Sequence, residues 1–313
     1  MGKEHVLVVG PYPAWDMRAL EDMYEVHKLW LSPHADNLLG DVGASIRAIA
    51  TRGELGASAA LMAKLPRLEI VSCYGVGTDA IDLAYARSHS IAITNTPDVL
   101  TEDVADLGVG LLLAVARNIP AGDTHVRSGA WAASNMELTT RVSGKRVGIV
   151  GLGKIGMAFA RRMGAFGCDI SYWGRRQYDD VPYRFVGNLV ALAQASDILV
   201  VTLAGGSATR GLIDAATLEA LGSHGILVNI SRGSVVDEPA LIEALERKRI
   251  LGAGLDVFLN EPAIDSRFGK LSNVVLQPHH GSGTIETRRA MGQLLRDNLA
   301  AHFAGRPLLT PVA

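Results

Sequence analysis

The run Arg146-Val147-Gly148-Ile149-Val150-Gly151-Leu152-Gly153-Lys154-Ile155-Gly156 limits this chain more than any other stretch. Val147 to Val150 is apolar and strand-like, three glycines follow at Gly-x-Gly-x-x-Gly spacing, and Ile155, Phe159 and Met163 then recur at helical spacing. Strand, tight turn and helix in that order make a dinucleotide-binding turn. The first glycine permits the bend, the second lets a pyrophosphate approach the backbone, and the third lets helix and strand pack closely while the helix N-terminus faces the phosphates. Spacing alone is weak, because 34 glycines among 313 residues generate it by chance roughly 0.4 times.

The chain carries a second such string, Gly75-Val76-Gly77-Thr78-Asp79-Ala80, in the relaxed form that ends in alanine. The next strand separates the two, since its end must read the ribose about 20 residues on. After Gly156 the strand-like run 170–173 ends in Gly174-Arg175-Arg176, whereas the run 91–95 after the Gly75 string offers neither an acid nor a basic pair. The turn Gly151, Leu152, Gly153, Lys154, Ile155, Gly156 is therefore assigned to the dinucleotide. A carboxylate in place of Gly174 would bind both ribose hydroxyls of NAD and repel a 2′-phosphate. Arg175 and Arg176 instead suit a phosphate dianion, by charge-assisted and bidentate hydrogen bonds, so the expected cofactor is NADP(H).

Around this turn the chain alternates β-branched runs with helical patterns, which predicts parallel sheets with helices on both faces. One βα series runs to Thr96-Pro97; a long helix is expected over 101–117, then an irregular polar stretch over 120–145 with Trp131 in its middle. A second series starts at Arg146, and a last long helix over 285–303 ends at Gly305-Arg306-Pro307. The expected fold is α/β, with two doubly wound parallel-sheet domains and a cleft between them. A flavodoxin-like substrate domain takes 1–97 and 285–313, and a Rossmann dinucleotide-binding domain takes 98–284.

A formal net charge of −2, without a basic run, gives no support to a nucleic-acid or membrane-surface role. Cys73 and Cys168 read as reduced thiols in or beside strands, no apolar run is long enough to span a membrane, and no signal-peptide pattern opens the chain. A soluble cytoplasmic protein is expected. No metal-ligand spacing appears.

Three polar residues follow apolar strands in the second half: Arg232 after 226–230, Glu261 a few residues beyond the acid Asp256, and a histidine, His279 or His280, after 274–277. An arginine, a carboxylate and a histidine meeting at a nicotinamide suit reduction of a 2-keto acid. Arg232 holds the carboxylate and polarises the ketone, the histidine supplies a proton as hydride arrives, and Glu261 favours the charged imidazole.

These residues and their surroundings resemble the D-isomer-specific 2-hydroxyacid dehydrogenases, within them the NADPH-using glyoxylate/hydroxypyruvate and hydroxyphenylpyruvate reductases. The resemblance runs through Tyr74-Gly75-Val76-Gly77-Thr78-Asp79, Thr96-Pro97-Asp98-Val99-Leu100-Thr101, Val104-Ala105-Asp106, the Gly151 turn, Ser231-Arg232-Gly233, Gly254-Leu255-Asp256-Val257-Phe258, Glu261-Pro262 and Pro278-His279-His280-Gly281-Ser282. It implies that Arg232 binds substrate, that His279 is the acid/base and that Glu261 pairs with it. It also implies that Val76 and Gly77 hold the substrate carboxylate through their N–H groups, that Asp256 contacts the nicotinamide amide, and that Ile155, Thr202, Ile230 and Ser231 line the cofactor. A homodimer through the nucleotide domain is implied as well, with Trp131 reaching the partner's substrate pocket.

The chain departs from the family pattern at His280, where a small or apolar residue is usual, and at 204–210, which replaces a Pro-Leu-Thr-Pro-type loop. Arg52, after the third strand, is a candidate for reading the substrate side chain, with a solvent-facing arginine as the plainer alternative. Glyoxylate and hydroxypyruvate are the first expected substrates and bulkier 2-keto acids the second. A dinucleotide-sensing corepressor is the rival class, against which Gly174-Arg175-Arg176 argues. The end at Ala313 soon after the last helix carries the expectation of no carboxy-terminal regulatory domain.

Overall fold

A computed structural model describes residues 2–312. The chain divides into two compact units, residues 1–100 with 282–313, and residues 101–281.

The first unit contains β1 (His5–Val8), α1 (Ala14–Met23), β2 (Glu25–Lys28), α2 (Ala35–Val42), β3 (Ile46–Arg52), α3 (Ala59–Met62), β4 (Ile70–Tyr74), α4 (Leu83–Ser88) and β5 (Ala92–Thr94). These strands form one parallel sheet in the order β2-β1-β3-β4-β5. The order reverses direction beside β1, as in a doubly wound sheet. Every residue of β4 is buried, which is why Ile70 to Tyr74 reads as a continuous rather than an alternating run.

The chain's last helix (Ile285–Phe303) completes this unit, and its N-cap Thr284 accepts the Thr287 N–H. It is numbered α11 after the helices of the second unit. On it, Gly292 faces α1 so closely that a Cβ would lie 2.0 Å from Asp16 Oδ1. Asp16, 1 % exposed, is ion-paired with Arg296 at 2.5 Å.

The second unit contains α5 (Thr101–Ala116), α6 (Ile119–Arg127), β6 (Arg146–Val150), α7 (Lys154–Ala165), β7 (Asp169–Trp173), β8 (Arg184–Phe185), α8 (Leu189–Gln194), β9 (Ile198–Val201), α9 (Ala215–Leu221), β10 (Ile226–Asn229), α10 (Glu238–Glu246), β11 (Gly252–Leu255) and β12 (Val274–Leu276). Its seven strands, all parallel, run β12-β11-β10-β9-β6-β7-β8. The order turns between β6 and β9, and the turn after β6 is the Gly151 turn. Ligands of open α/β sheets bind at such a switch point.

The expectation of an irregular stretch over 120–145 is corrected at its start. Asn118, in a left-handed conformation, ends one helix and starts another, α6, with Pro120 in its first turn. None of α6 is buried, so the core-facing stripe that reveals a helix in sequence is missing. Among the described residues no single helix is long and apolar enough to cross a membrane, and no group of three or more His, Cys, Asp or Glu side chains is placed to hold a metal ion.

The Asp16–Arg296 pair makes a direct prediction. Gly292→Ala should push Asp16 off its partner, at a cost on the order of 3 kcal/mol, since breaking a buried pair is expensive. A urea unfolding midpoint equal to that of the parent would show that α11 moves aside freely.

Candidate active site

The Gly151 turn is shaped by close backbone approach. Gly151 takes φ +99°, a region L side chains avoid, and its N–H donates to the Trp173 carbonyl at 2.8 Å. A Cβ on Gly156 would stand 2.3 Å from the Gly151 carbonyl oxygen, so only glycine lets α7 lie this close to the turn. At Gly153 a Cβ would meet nothing within 4 Å. That open side lies at the N-terminus of α7, whose first N–H groups have no acceptor within the helix. The residues present therefore fit a dinucleotide diphosphate. The Thr202 hydroxyl donates to the Gly151 carbonyl at 2.5 Å and ties the end of β9 to the turn.

β7 ends at Trp173, and the chain passes directly into Gly174, Arg175 and Arg176. Both arginines are exposed, with the Arg176 guanidinium 4.9 Å from the Tyr178 ring centroid. The loop 204–210 closes on itself through the Thr209 hydroxyl, which donates to the Ala204 carbonyl at 2.9 Å.

β10, β11 and β12 are parallel neighbours, so the segments that follow them leave the same edge of the sheet. After β10, the buried Asn229 organises the chain: its Oδ1 accepts the Ser231 N–H at 3.1 Å and the Ser231 hydroxyl at 2.9 Å, and its amide donates to the Arg232 carbonyl at 3.0 Å. Arg232 is half-buried, and its Nη1 donates to the Ser231 carbonyl at 2.7 Å. After β11, Glu261 Oε1 accepts the Phe258 N–H at 2.8 Å, while Oε2 lies 2.6 Å from His279 Nδ1. After β12, His279 takes φ +52° and donates its N–H to the Asp256 carbonyl at 2.8 Å.

Asp256 itself is 2 % exposed. Its two carboxylate oxygens accept the N–H groups of His280 and Gly281 at 2.6 and 2.8 Å. Asp256 thus clamps the segment that carries His279 from both backbone and side chain. Burial pushes its carboxyl above the usual range, against the pull of the His280 N–H and the His279 ring. At Glu261 burial also pushes upward but loses. The His279 hydrogen bond and charge, the Phe258 N–H and the Arg232 charge together hold that carboxyl below its ordinary value. An ionised Glu261 only accepts, so Nδ1 carries a proton toward it and Nε2 is left to exchange one.

Two supporting residues escaped sequence reading. Asn229 was visible only as a polar residue closing an apolar strand. Glu238, at the start of α10 and 7 % exposed, accepts the Leu259 N–H at 2.9 Å and steadies the approach to Glu261. A Cβ on Gly233 would lie 1.9 Å from the Phe258 carbonyl carbon, so the Arg232 and Glu261 segments touch only because that residue is glycine.

Other sequence candidates lie in the first unit. Arg52 ends β3 in register with Tyr74 and is ion-paired with Glu54 at 2.5 Å. The Gly75 string follows β4: the Gly75 N–H donates to the Thr96 hydroxyl at 2.9 Å, and Asn95 donates to the Val76 carbonyl at 2.9 Å. Trp131 belongs to the second unit and is exposed, on a short 3₁₀ turn. The structure thus brings Arg232, Glu261 and His279 together with the Gly151 turn in one unit, and holds Arg52, Val76 and Gly77 in the other.

Residues 109–281 match the model for the D-isomer specific 2-hydroxyacid dehydrogenase, NAD binding domain. The chain belongs to this family. It is 48 % identical over 307 residues to a glyoxylate/hydroxypyruvate reductase of Arabidopsis thaliana, with 98 % of each chain covered. It is 47 % identical over 307 residues to the hydroxyphenylpyruvate reductase of Plectranthus scutellarioides, again with 98 % of each covered. The NADPH-dependent glyoxylate/hydroxypyruvate reductase of Sinorhizobium meliloti, solved with NADP and malonate, superposes with a TM-score of 0.92 at 39 % identity, over 100 % of this chain and 97 % of that one.

The depressed Glu261 carboxyl fixes the sign of a pH effect. Its contribution to this dehydrogenase's stability is complete above the ordinary carboxylate range and fades as pH falls through its lowered folded value. The gap in urea midpoint between parent and Glu261→Gln should hold from neutral pH downward, then close in acid. A gap that widened as pH fell would contradict it.

Proposed function

We propose that this member of the family reduces small 2-keto acids, glyoxylate and hydroxypyruvate first, to D-2-hydroxy acids with NADPH. The observation that carries the reading is the 2.6 Å contact between Glu261 and His279, at the strand edge that also bears Arg232. The cofactor, when bound, supplies the hydride.

Each residue of the site has a part of its own. Glu261 fixes His279 through Nδ1, and His279 delivers a proton from Nε2 to the carbonyl oxygen, then removes one from the hydroxyl in the reverse direction. Arg232 pairs with the substrate carboxylate and polarises the ketone, and the Val76 and Gly77 N–H groups hold that carboxylate from the other unit's residues. The Gly151 turn, from Leu152 to Ile155, takes the diphosphate, while Thr202, Ile230, Ser231 and Asp256 line the nicotinamide side. Gly174 leaves room for a 2′-phosphate that Arg175 and Arg176 bind, a reading supported by the exposure of both guanidiniums.

We further propose a homodimer through the second unit, supported by exposed Ile119, Val126, Trp131, Met136 and Leu138 on α6 and the segment after it. In that dimer Trp131 approaches the partner's substrate. A cytoplasmic location is supported by the two cysteines, whose thiols donate to the Gly77 and Val142 carbonyls.

Loss of NADPH absorbance with glyoxylate and hydroxypyruvate tests the proposal, with phenylpyruvate-type acids as the comparison. His279→Gln should lower kcat by about 10²–10⁴, whereas His280→Gln should stay near the parent rate. An active His279 variant beside an inactive His280 variant would reverse the assignment, and no turnover on any 2-keto acid would refute the activity. Arg175→Ala combined with Arg176→Ala should raise the KM for NADPH by about tenfold or more and leave that for NADH little changed. Equal effects on both cofactors would refute the 2′-phosphate reading.

A further inference from the structure

The edge of the first unit's sheet from which the Gly75 turn departs is rich in charge, and the charges do not balance. Tyr74, the last residue of β4, is the centre of the group. Tyr12 stacks on its ring with centroids 4.8 Å apart, and Arg52 is its register partner on β3. From α11 the Arg288 guanidinium lies over the same ring, 5.7 Å from the centroid. The Tyr74 hydroxyl is 2.6 Å from the Arg288 carbonyl and 3.1 Å from Asp16 Oδ2.

Three arginines and two carboxylates share this edge. Asp16 is matched by Arg296 at 2.5 Å, and Glu54 by Arg52 at 2.5 Å. Arg288 is the one left over: among the described residues no carboxylate lies in ion-pair range of it, and its side chain is half-buried. Burial, and then the charge of Arg52, pull its guanidinium below the usual value. A half-buried cation held beside a second cation and an aromatic face is an anion site awaiting its anion.

The place of this site in the chain gives the anion its identity. Tyr74 is followed at once by Gly75, Val76 and Gly77, the N–H groups assigned above to the substrate's own 2-keto carboxylate. A group on the far end of the same substrate is therefore what Arg288 is placed to meet. We infer that Arg288, with Arg52 beside it across Tyr74, forms a subsite for a negatively charged distal substituent, so that 2-keto acids bearing a second carboxylate are substrates preferred over neutral ones of equal length. This rests on the 2-keto acid reductase reading. Arg288 acts by binding and takes no part in proton transfer.

The test compares kcat/KM for 2-oxoglutarate with that for 2-oxohexanoate, which carries a neutral alkyl end, in the parent enzyme and in Arg288→Met and Arg288→Lys. The parent should favour the dicarboxylate by about tenfold or more, the worth of one charge-assisted hydrogen bond in a partly buried site. Arg288→Met should abolish that preference, losing at least tenfold more on 2-oxoglutarate than on glyoxylate. Arg288→Lys, which keeps the charge, should retain a measurable part of it. A parent enzyme with no preference, or an Arg288→Met variant whose losses are equal on all three acids, overturns the subsite. Should Arg288→Met fail to fold, an Arg288→Lys variant with no preference for 2-oxoglutarate overturns it, and one that keeps the preference upholds it. Absence of glyoxylate turnover in the parent would instead refute the activity on which the subsite rests.

Discussion

Everything chemical in this molecule depends on one property of parallel sheets: all strands end on the same edge, so segments far apart in sequence leave from neighbouring points. Arg232, Glu261 and His279 are separated by 29 and 18 residues in the chain, yet they follow β10, β11 and β12, which pair side by side. The Gly151 turn leaves the same sheet at its switch point, where the strand order reverses and neighbouring helices diverge. No loop has to reach far to assemble the group. Short connections, each fixed by its own hydrogen bonds, are sufficient.

Those fixings are hierarchical. Asp256 holds the His279 segment by three hydrogen bonds, one to its backbone carbonyl and two to its side chain. Glu261 divides its two oxygens between the Phe258 N–H and the His279 ring. Asn229 closes the Arg232 turn, and Glu238 closes the approach to Glu261. Each buried polar group is thus satisfied by the segment it positions, the condition under which burying it does not destabilise the fold. The opposite signs of the two carboxyl shifts follow from this arrangement. Asp256 is the more deeply buried and draws mainly on backbone donors, while Glu261 faces the imidazole and the Arg232 charge.

What could be read from the sequence was whatever is encoded locally. The β6–Gly151–α7 unit is contiguous, so its glycines, its apolar run and its helical stripe lie together, and Gly174-Arg175-Arg176 follows at a fixed spacing. Arg232, Glu261 and His279 were legible because each closes an apolar strand. Asn229 and Glu238 were not, since their partners are chosen by tertiary contact and either residue alone looks like an ordinary cap. α6 was missed for the converse reason: a helix with no buried face leaves no periodic stripe to detect. The two-residue β8 is too short to carry any pattern, and it exists because β7 offers it an edge to pair with.

The division of labour between the two units explains how one family accommodates different acids. The proton-transfer pair and Arg232 are built into the unit that also carries the Gly151 turn, and their mutual geometry is set by hydrogen bonds internal to that unit. Altering the first unit therefore leaves the His279–Glu261 contact intact. Residues such as Arg52 and Arg288 stand on that first unit, at the end of β3 and one turn into α11, where side chains change without disturbing a catalytic hydrogen bond. Relatives at 48 and 47 % identity are a glyoxylate/hydroxypyruvate reductase and a hydroxyphenylpyruvate reductase. Such a pair is the expected outcome when the common chemistry is fixed in one unit and the distinction between substrates is written in the other.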